Sequence, residues 1–459
     1  MKILQVTHSL PFINQAGVEV YTYSLSLELS KRHEVFIFCR NSDIKQKDFT
    51  VTSKVFNQLT VYLVNNTFRY CDSFESCYEN EAIDKIFAGL LDEIKPDIIH
   101  IQHLVFLSIG IIKKIKERNI PIIFTIHDYW LICPKWHLLK GNLAPCDKAD
   151  KGMFDQECTR CLFEALNIKR PAAIAYNLSR RFLPAFLTSY LKKIYLLSRS
   201  IVMDKDDGAK RLYQRRRRIL DLLREVDLFL SPSQYLINKF ISFGIPREKI
   251  RFSRFGLNGE LFRNIQKTES EKIRFAFVGT LLPAKGLHVL IEAFNRIKNT
   301  NVGLKIYGEM RDYGGFEYYL PYLKSIVRNK DIEFMGGIEH QRIGDVFREI
   351  DILVVPSLWQ ENSPIVIEEA LLSGTGVIAS RVGGIPELID DGVNGLLFSP
   401  GDVVSLQEKI EEIIKRPDWI RKFANNGVKI KDIKDEAREI ELIYSKSIAK
   451  NSFVASEVC

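Results

Sequence analysis

The 459-residue chain has no apolar run approaching the roughly 20 residues that cross a bilayer, so no helical membrane span is expected. Its first residues, MKILQVTHSL, carry too short an apolar run for a signal peptide and read as a buried strand, which points to a cytoplasmic chain. No internal repeat stands out. The Gly-x4-Gly-Lys-Ser/Thr order of a P-loop is absent. Asp204-Lys205-Asp206 has the letters of a metal-binding Asp-x-Asp. It lies in a basic helical stretch far from any strand end, so it reads as a solvated turn. No side chain stands out as a nucleophile.

The chain does have length, ordinary composition and an uneven charge. It is too long for one typical domain, so two large domains are expected. Apolar residues make up 46% and charged residues 27%, the usual balance of a soluble globular protein. The net charge of +8 is concentrated in one place. Between Leu166 and Arg218 there are 14 Lys or Arg against 3 Asp or Glu, which gives this stretch +11 and the rest about −3. A negatively charged partner is therefore expected to meet this region rather than the whole surface.

Short apolar runs alternate with helical patterns in two series, which predicts α/β architecture with parallel sheets. The first series is Ile3–Thr7, Val35–Cys39, Val61–Val64, Ile98–Gln102, Ile122–His127 and Leu228–Ser231. The second is Arg274–Val278, Gly303–Tyr307, Ile332–Met335, Ile352–Val355, Gly376–Ala379 and Gly395–Phe398. Each is long enough for one doubly wound domain. The join falls near Phe255–Gly259, giving domains of residues 1–258 and 259–430, with 431–459 as a charged helical tail. Residues 129–223 interrupt the first series with a cysteine-containing loop and basic helical stretches, and read as an insertion.

In open α/β sheets ligands sit beyond the carboxyl ends of the strands, and unusual residues collect there. After the first strand, Ala16-Gly17 feeds a helix. Glycine permits close backbone approach, and the helix start offers N–H groups to an anion. His127 and Asp128 follow the fifth strand. Gly279-Thr280 and Lys285-Gly286 follow Arg274–Val278 in an arrangement that suits a diphosphate: Lys285 supplies charge and the next helix supplies amide donors. After Ile352–Val355 comes PSLWQENSPIVIEEALLSG. Here Ser363 is expected to cap a helix and Pro364 to take its first position. That helix is apolar on every side, hence buried, yet it carries Glu368 and Glu369, with Glu361 just ahead. Buried carboxylates need partners. A carboxylate can accept both hydroxyl protons of a diol, but periodicity does not choose between Glu368 and Glu369.

Glu361 and Glu369 form a Glu-x7-Glu pair. Together with FVGTLLPAKG, TIHD, the Gly17 loop and SPSQYLINKFISFGIPREKI, this pair makes the chain resemble glycosyltransferase family 4, retaining enzymes of GT-B fold. The resemblance covers most of the chain outside Leu166–Arg218. It implies two Rossmann-like domains facing across a cleft, with the last helix crossing back to the first. It implies transfer of a sugar from a UDP- or GDP-sugar to a glycan or lipid-linked acceptor hydroxyl, with retention and without a catalytic metal. Carried over residue by residue, it implies that Glu369 holds the ribose hydroxyls. Glu361 and the backbone of Asn362, Ser363, Pro364 and Ile365 would hold the donor sugar. Lys285 would neutralise the diphosphate beside the Gly279-Thr280 turn, and Gly17 would let the first domain close over it. His127 would bond the sugar from the acceptor side, so that Glu361, His127 and Lys285 form the catalytic set. There are two departures from the family pattern. Thr280 replaces an Arg often found beside this turn, which places more charge on Lys285 unless Arg254 or another residue helps. Ala16 replaces the first of two usual glycines.

Cys133, Cys146, Cys158 and Cys161 are spaced C-x12-C-x11-C-x2-C, a candidate structural zinc set. The loop has little apolar material of its own, so a metal would supply its fold. Four free thiols are the alternative, and a reducing cytoplasm disfavours disulfides. The stretch RRFLPAFLTSYLKKIYLLSRSIV, followed by Arg215–Arg218, mixes aromatic, aliphatic and basic residues as interfacial helices do. Docking on an anionic membrane surface, at the inner face of the cell membrane, is therefore expected; the alternative is a solvated helical hairpin packed on the first domain. Nucleic acid fits the charge, but no recognition motif accompanies it. The rival readings are a GT-B epimerase or phosphorylase, the latter without a pyridoxal phosphate lysine setting here, and a non-catalytic nucleotide-sugar-binding scaffold.

Overall fold

The computed structural model describes residues 1–14, 16–68, 73–165, 205–262, 265–310, 316, 318–426 and 430–457. In the first domain the strands are β1 (Lys2–Thr7), β2 (Glu34–Asn41), β3 (Val51–Phe56), β4 (Leu59–Asn65), β5 (Ile98–Ile101), β6 (Ile122–Thr125), β7 (Leu228–Ser231) and β8 (Ile250–Phe252). They form one sheet in the order β3-β4-β2-β1-β5-β6-β7-β8, parallel except that β3 runs antiparallel to β4. The second domain contributes β9 (Ile273–Val278), β10 (Val302–Tyr307), β11 (Ile332–Gly336), β12 (Ile352–Val355), β13 (Gly376–Ser380) and β14 (Gly395–Phe398). These form an all-parallel sheet in the order β11-β10-β9-β12-β13-β14. The fold is the expected one: two Rossmann-like parallel-sheet domains.

Strands covered on both faces read as continuous apolar runs. β5, β6, β12 and β14 are buried at every residue, which is why such runs are visible in the sequence. Two strands were not expected. β3 is exposed over most of its length and joins β4 through Asn57-Gln58, both left-handed with φ of 44° and 71°. Such a turn matches strand twist, but it lacks the glycine that announces it in a sequence. β8 has three residues, of which one is buried, too few to show a period.

The C-terminal helix Ile433–Glu457 packs on the first domain. Its stripe Ile433, Ala437, Ile440 and Tyr444 shares a cluster with Ile3, Leu25 and Ile98. No described helix is long and apolar enough to cross a membrane. The sequence stretch at 180–202 and Asp204 lie outside the described residues.

Strand order reverses direction between β1 and β5 in one sheet and between β9 and β12 in the other. These switch points are where open parallel sheets leave a crevice for ligand. The loops after β1, β5, β9 and β12 therefore reach that crevice.

Candidate active site

The helix after β12 spans Ile365–Leu372, and the expected serine cap is not made. Pro364 is the N-cap residue, with no side-chain cap bond. The Ser363 hydroxyl instead donates to Glu368 Oε1 at 3.1 Å. A buried carboxyl oxygen left without a donor costs more than an uncapped helix start, so the hydroxyl goes to Glu368. The first N–H groups of the helix consequently stay open where Ile365 and Val366 line the cleft.

Glu361, Glu368 and Glu369 are 3%, 1% and 4% exposed. Each is satisfied differently. Glu361 Oε1 accepts from Lys285 Nζ and from Ser357 Oγ, both at 2.7 Å. Glu369 Oε1 meets His340 Nε2 at 2.8 Å. Glu368 has Ser363, but its Oε2 has no partner. Burial pushes the Glu368 carboxyl up to about 8 against the opposing pull of Ser363 and Arg254, so it holds its proton at neutral pH. Glu369 lines the cleft and Glu368 does not.

The cleft encloses about 470 Å³, within the size of small-molecule sites. From the first domain it is lined by Gly17 and His8 after β1, His103 after β5, and His127 and Asp128 after β6. From the second come Gly279, Thr280 and Lys285 after β9, then Glu361, Asn362, Ser363, Pro364 and Ile365 after β12, and Glu369 on the helix. The structure thus gathers every nucleotide-sugar residue expected from the sequence into one crevice. The domains meet across it, where the Asn362 Nδ2 donates to the His127 carbonyl. A methyl added at Gly17 would lie 3.5 Å from Ile365 Cδ1, so packing in the empty cleft does not itself require glycine there. Gly286 is different: its φ is +70°, and a Cβ would lie 1.9 Å from the Pro356 carbonyl oxygen, so the Lys285 turn is seated directly on the β12 loop.

Lys285 is the only Lys or Arg among the described lining residues. Arg254, considered as a helper for it, donates to the Glu387 carbonyl at 2.8 Å and does not line the cleft. Lys285 Nζ also stands 5.1 Å from the Trp359 ring centre. Trp359 Nε1 and Asn362 Oδ1, on two lining residues, are buried without a partner: one a donor, one an acceptor.

Sequence reasoning missed His8, Glu19 and His103. Glu19 is 1% exposed and pairs with His8 Nε2 at 3.2 Å. Burial raises its carboxyl, but His8, the helix backbone and Asn14 together outweigh this and hold it below the usual range. His103 Nδ1 accepts from the Val105 N–H at 3.0 Å, and its Nε2 meets Asp128 Oδ2 at 3.1 Å. Asp128 Oδ1 in turn accepts from the Trp130 N–H at 2.8 Å. The strand-end rule that singled out His127 applies equally to His8 and His103. His127 stacks on Phe255 at 5.1 Å and stands edge-on to Tyr21 at 5.4 Å. Burial, with His103, His100 and His8 nearby, holds its imidazole well below the ordinary value, so the ring is neutral.

Cys133, Cys146 and Cys158 are half-buried against the first-domain core. Burial raises the Cys133 thiol to about 12 and the Cys158 thiol to about 11. Among the described residues no group of three or more His, Cys, Asp or Glu is arranged to hold a metal, so Cys133, Cys146, Cys158 and Cys161 do not form the expected zinc shell. The loop has other support. Arg215 is 2% exposed and donates to the carbonyls of Trp130 and Leu131, the latter at 3.2 Å. Arg216 donates to Asp150 O and Phe243 O at 3.2 and 2.6 Å, and Arg218 pairs with Glu79. Of the basic cluster expected on the surface, Arg215 and Arg216 thus serve the protein's own carbonyls, Arg218 is held by Glu79 while partly exposed, and Arg217 is exposed. A long loop leaves backbone carbonyls without ladder partners, and guanidinium donors satisfy them.

Two facing parallel-sheet domains with a cleft between their switch points define the GT-B class. A family model described as "Glycosyl transferases group 1" matches residues 259–430, and one described as "Glycosyltransferase Family 4" matches residues 16–154. The chain belongs to glycosyltransferase family 4. It is 32% identical over 174 residues to an uncharacterized glycosyltransferase of Methanocaldococcus jannaschii, covering 38% of this chain and 46% of that one. It is 32% identical over 195 residues to the amylovoran biosynthesis glycosyltransferase AmsK of Erwinia amylovora, covering 40% and 47%. The chain thus spans about half the length of these curated relatives. Among solved structures, HepE of Anabaena in complex with UDP and glucose superposes with a TM-score of 0.62 at 17% identity, over 97% of this chain and 99% of that one. At that identity the likeness is one of fold.

Proposed function

We propose that this protein transfers a sugar from a UDP- or GDP-sugar to an acceptor hydroxyl, with retention of anomeric configuration and without a catalytic metal, in cell-surface polysaccharide or glycolipid synthesis. The observation that carries this reading is the meeting, in one cleft, of the Lys285–Glu361 pair, the open helix start at Ile365 and the buried Glu369 carboxylate. Lys285 and the helix N–H groups suit a departing diphosphate, and Glu369 suits the ribose diol. Glu361 and the orphaned polar atoms of Trp359 and Asn362 suit sugar hydroxyls. The AmsK and HepE likenesses support it further, through polysaccharide synthesis in one and bound UDP and glucose in the other. Catalysis is then mainly positioning and electrostatic stabilisation of the leaving diphosphate, whose oxygen takes the acceptor proton. No zinc on the four cysteines enters this reading.

We also place the protein in the cytoplasm at the inner face of the membrane, near a glycan or lipid-linked acceptor. The support is the basic excess between Leu166 and Arg218, less the arginines that face inward.

Incubation with a panel of UDP- and GDP-sugars, with and without candidate acceptors, tests the reaction. Slow hydrolysis of one donor, accelerated transfer with an acceptor, and a retained anomer by NMR are expected. A protein that binds nucleotide sugars and never turns one over would be a scaffold. Release of sugar phosphate in the presence of phosphate would indicate a phosphorylase.

A further inference from the structure

Behind His127 lies a polar chain in a place where parallel sheets carry Val, Ile and Leu. Gln5 on β1, His100 on β5, Gln102 just beyond it and Tyr444 on the C-terminal helix are 0% exposed, and Thr125 on β6 is 2% exposed. Gln5 and His100 are register partners, and His100 and Gln102 share a sheet face by the two-residue period. Buried polar groups are retained only when paired, and these are paired with one another. Gln5 Nε2 donates to Tyr444 Oη at 3.3 Å, and Gln102 Nε2 donates to Gln5 Oε1 at 3.0 Å. Gln102 Nε2 also lies 3.3 Å from His100 Nε2. His100 is held by Tyr444 Oη at 2.6 Å on Nδ1 and by Thr125 Oγ1 at 2.7 Å on Nε2.

With its nitrogen committed, Gln102 turns its Oε1 to His127 Nε2 at 2.8 Å. An amide oxygen accepts and cannot donate, so the His127 proton sits on Nε2 and Nδ1 is bare. His127 Nδ1 has no partner among the described residues. Unlike Nδ1 of His8, it is not closed off from solvent, and the ring lines the cleft.

We propose that Gln102 is a positioning residue, which holds His127 as the Nε2–H tautomer so that Nδ1 presents a hydrogen-bond acceptor to a substrate hydroxyl. The partner it selects is a hydroxyl that donates. A deoxy or fluoro analogue at that position loses the bond, because neither donates a proton to a bare nitrogen. The C-terminal helix holds the far end of the chain through Tyr444. The inference rests on the transferase reading only for what His127 contacts, because the tautomer belongs to the free protein.

Long-range ¹⁵N–¹H correlation spectra of the full chain, labelled at histidine, read it directly. Wild type is expected to show His127 protonated on Nε2 and bare on Nδ1 at neutral pH. Gln102→Leu should move His127 toward a mixture of tautomers and lower kcat on the order of tenfold, with donor KM unchanged, as for other partners that orient a histidine. A proton on Nδ1 in wild type overturns the proposal whatever the activity, and so does an unaltered signature in Gln102→Leu. Should Gln102→Leu not fold, the wild-type spectrum alone decides. An Nε2-protonated His127 in a protein that turns over no nucleotide sugar supports the tautomer and removes the transferase reading.

Discussion

Glu361 holds Lys285 in the free protein, so a diphosphate must compete with that carboxylate for the one described Lys or Arg in the cleft. Removing the carboxylate therefore has opposite effects on two steps. Glu361→Ala is expected to leave nucleoside diphosphate binding unchanged or tighter, because Lys285 is freed, while turnover falls for want of a sugar contact. Glu369→Gln is expected to weaken UDP or GDP binding by about 1–3 kcal/mol, since the amide removes the charge and replaces one of the two accepting oxygens by a donor. Titration calorimetry separates the two, and equal losses of nucleotide affinity would sink this division of roles. Glu368 behaves differently from both. Its folded pKa of about 8 lies above the ordinary carboxylate value near 4.3, so between these pH values the folded protein keeps a proton that the unfolded chain has released. The stability contributed by that proton is complete at acid pH and is lost as pH rises through about 8. Glu368→Gln should match wild type in acid and exceed it by about 1–3 kcal/mol at the alkaline end. Urea unfolding at several pH values checks this. Parallel curves for the two proteins would mean that Glu368 is ionised when folded.

At the scale of elements, the helix Lys205–Leu223 is read differently by sequence and by structure. Its run Arg215–Arg218 has the composition of a docking surface, yet three of the four arginines bind the protein itself. Arg215→Ala leaves the Trp130 and Leu131 carbonyls without their donor and should cost about 2–4 kcal/mol, whereas Arg217→Ala should stay within about 0.5 kcal/mol. Thermal melts of the two variants test this, and similar melts would mean the buried contacts are not made. The parallel strands, by contrast, were legible because burial on both faces writes itself into a short sequence window. The exposed edge β3 and the three-residue β8 carry no such record. Ser363 shows the same limit in miniature. Its local context specified a helix cap, and the Glu368 carboxyl five residues on took the hydroxyl instead.

At the scale of the whole molecule, the proposed membrane association would rest on the part of the basic region that does not serve the first domain's own loop. Vesicles of anionic lipid should co-sediment the protein at low salt and release it as salt rises. Neutralising Arg180, Arg181, Lys192 and Lys193 should abolish binding, while Arg217→Ala should leave most of it. No sedimentation at low salt would end the membrane proposal.

Two kinds of information meet in this molecule, and they differ in range. Strand periodicity, the glycine turns and the Glu-x7-Glu spacing act over a few residues, and so the two-domain architecture and the crevice residues could be read along the chain. The choice of Glu369 over Glu368 was readable only through resemblance, because the helix is apolar on every side and its own pattern gives no direction. Where Glu361 finds Lys285, 76 residues earlier, and where His127 finds Gln102, 25 residues earlier, is decided by which strand ends the sheet brings together. The direction in which Arg215 points is decided by carbonyls more than 80 residues away. A buried polar group must be satisfied by whatever the fold places within about 3 Å, and sequence distance has no bearing on that.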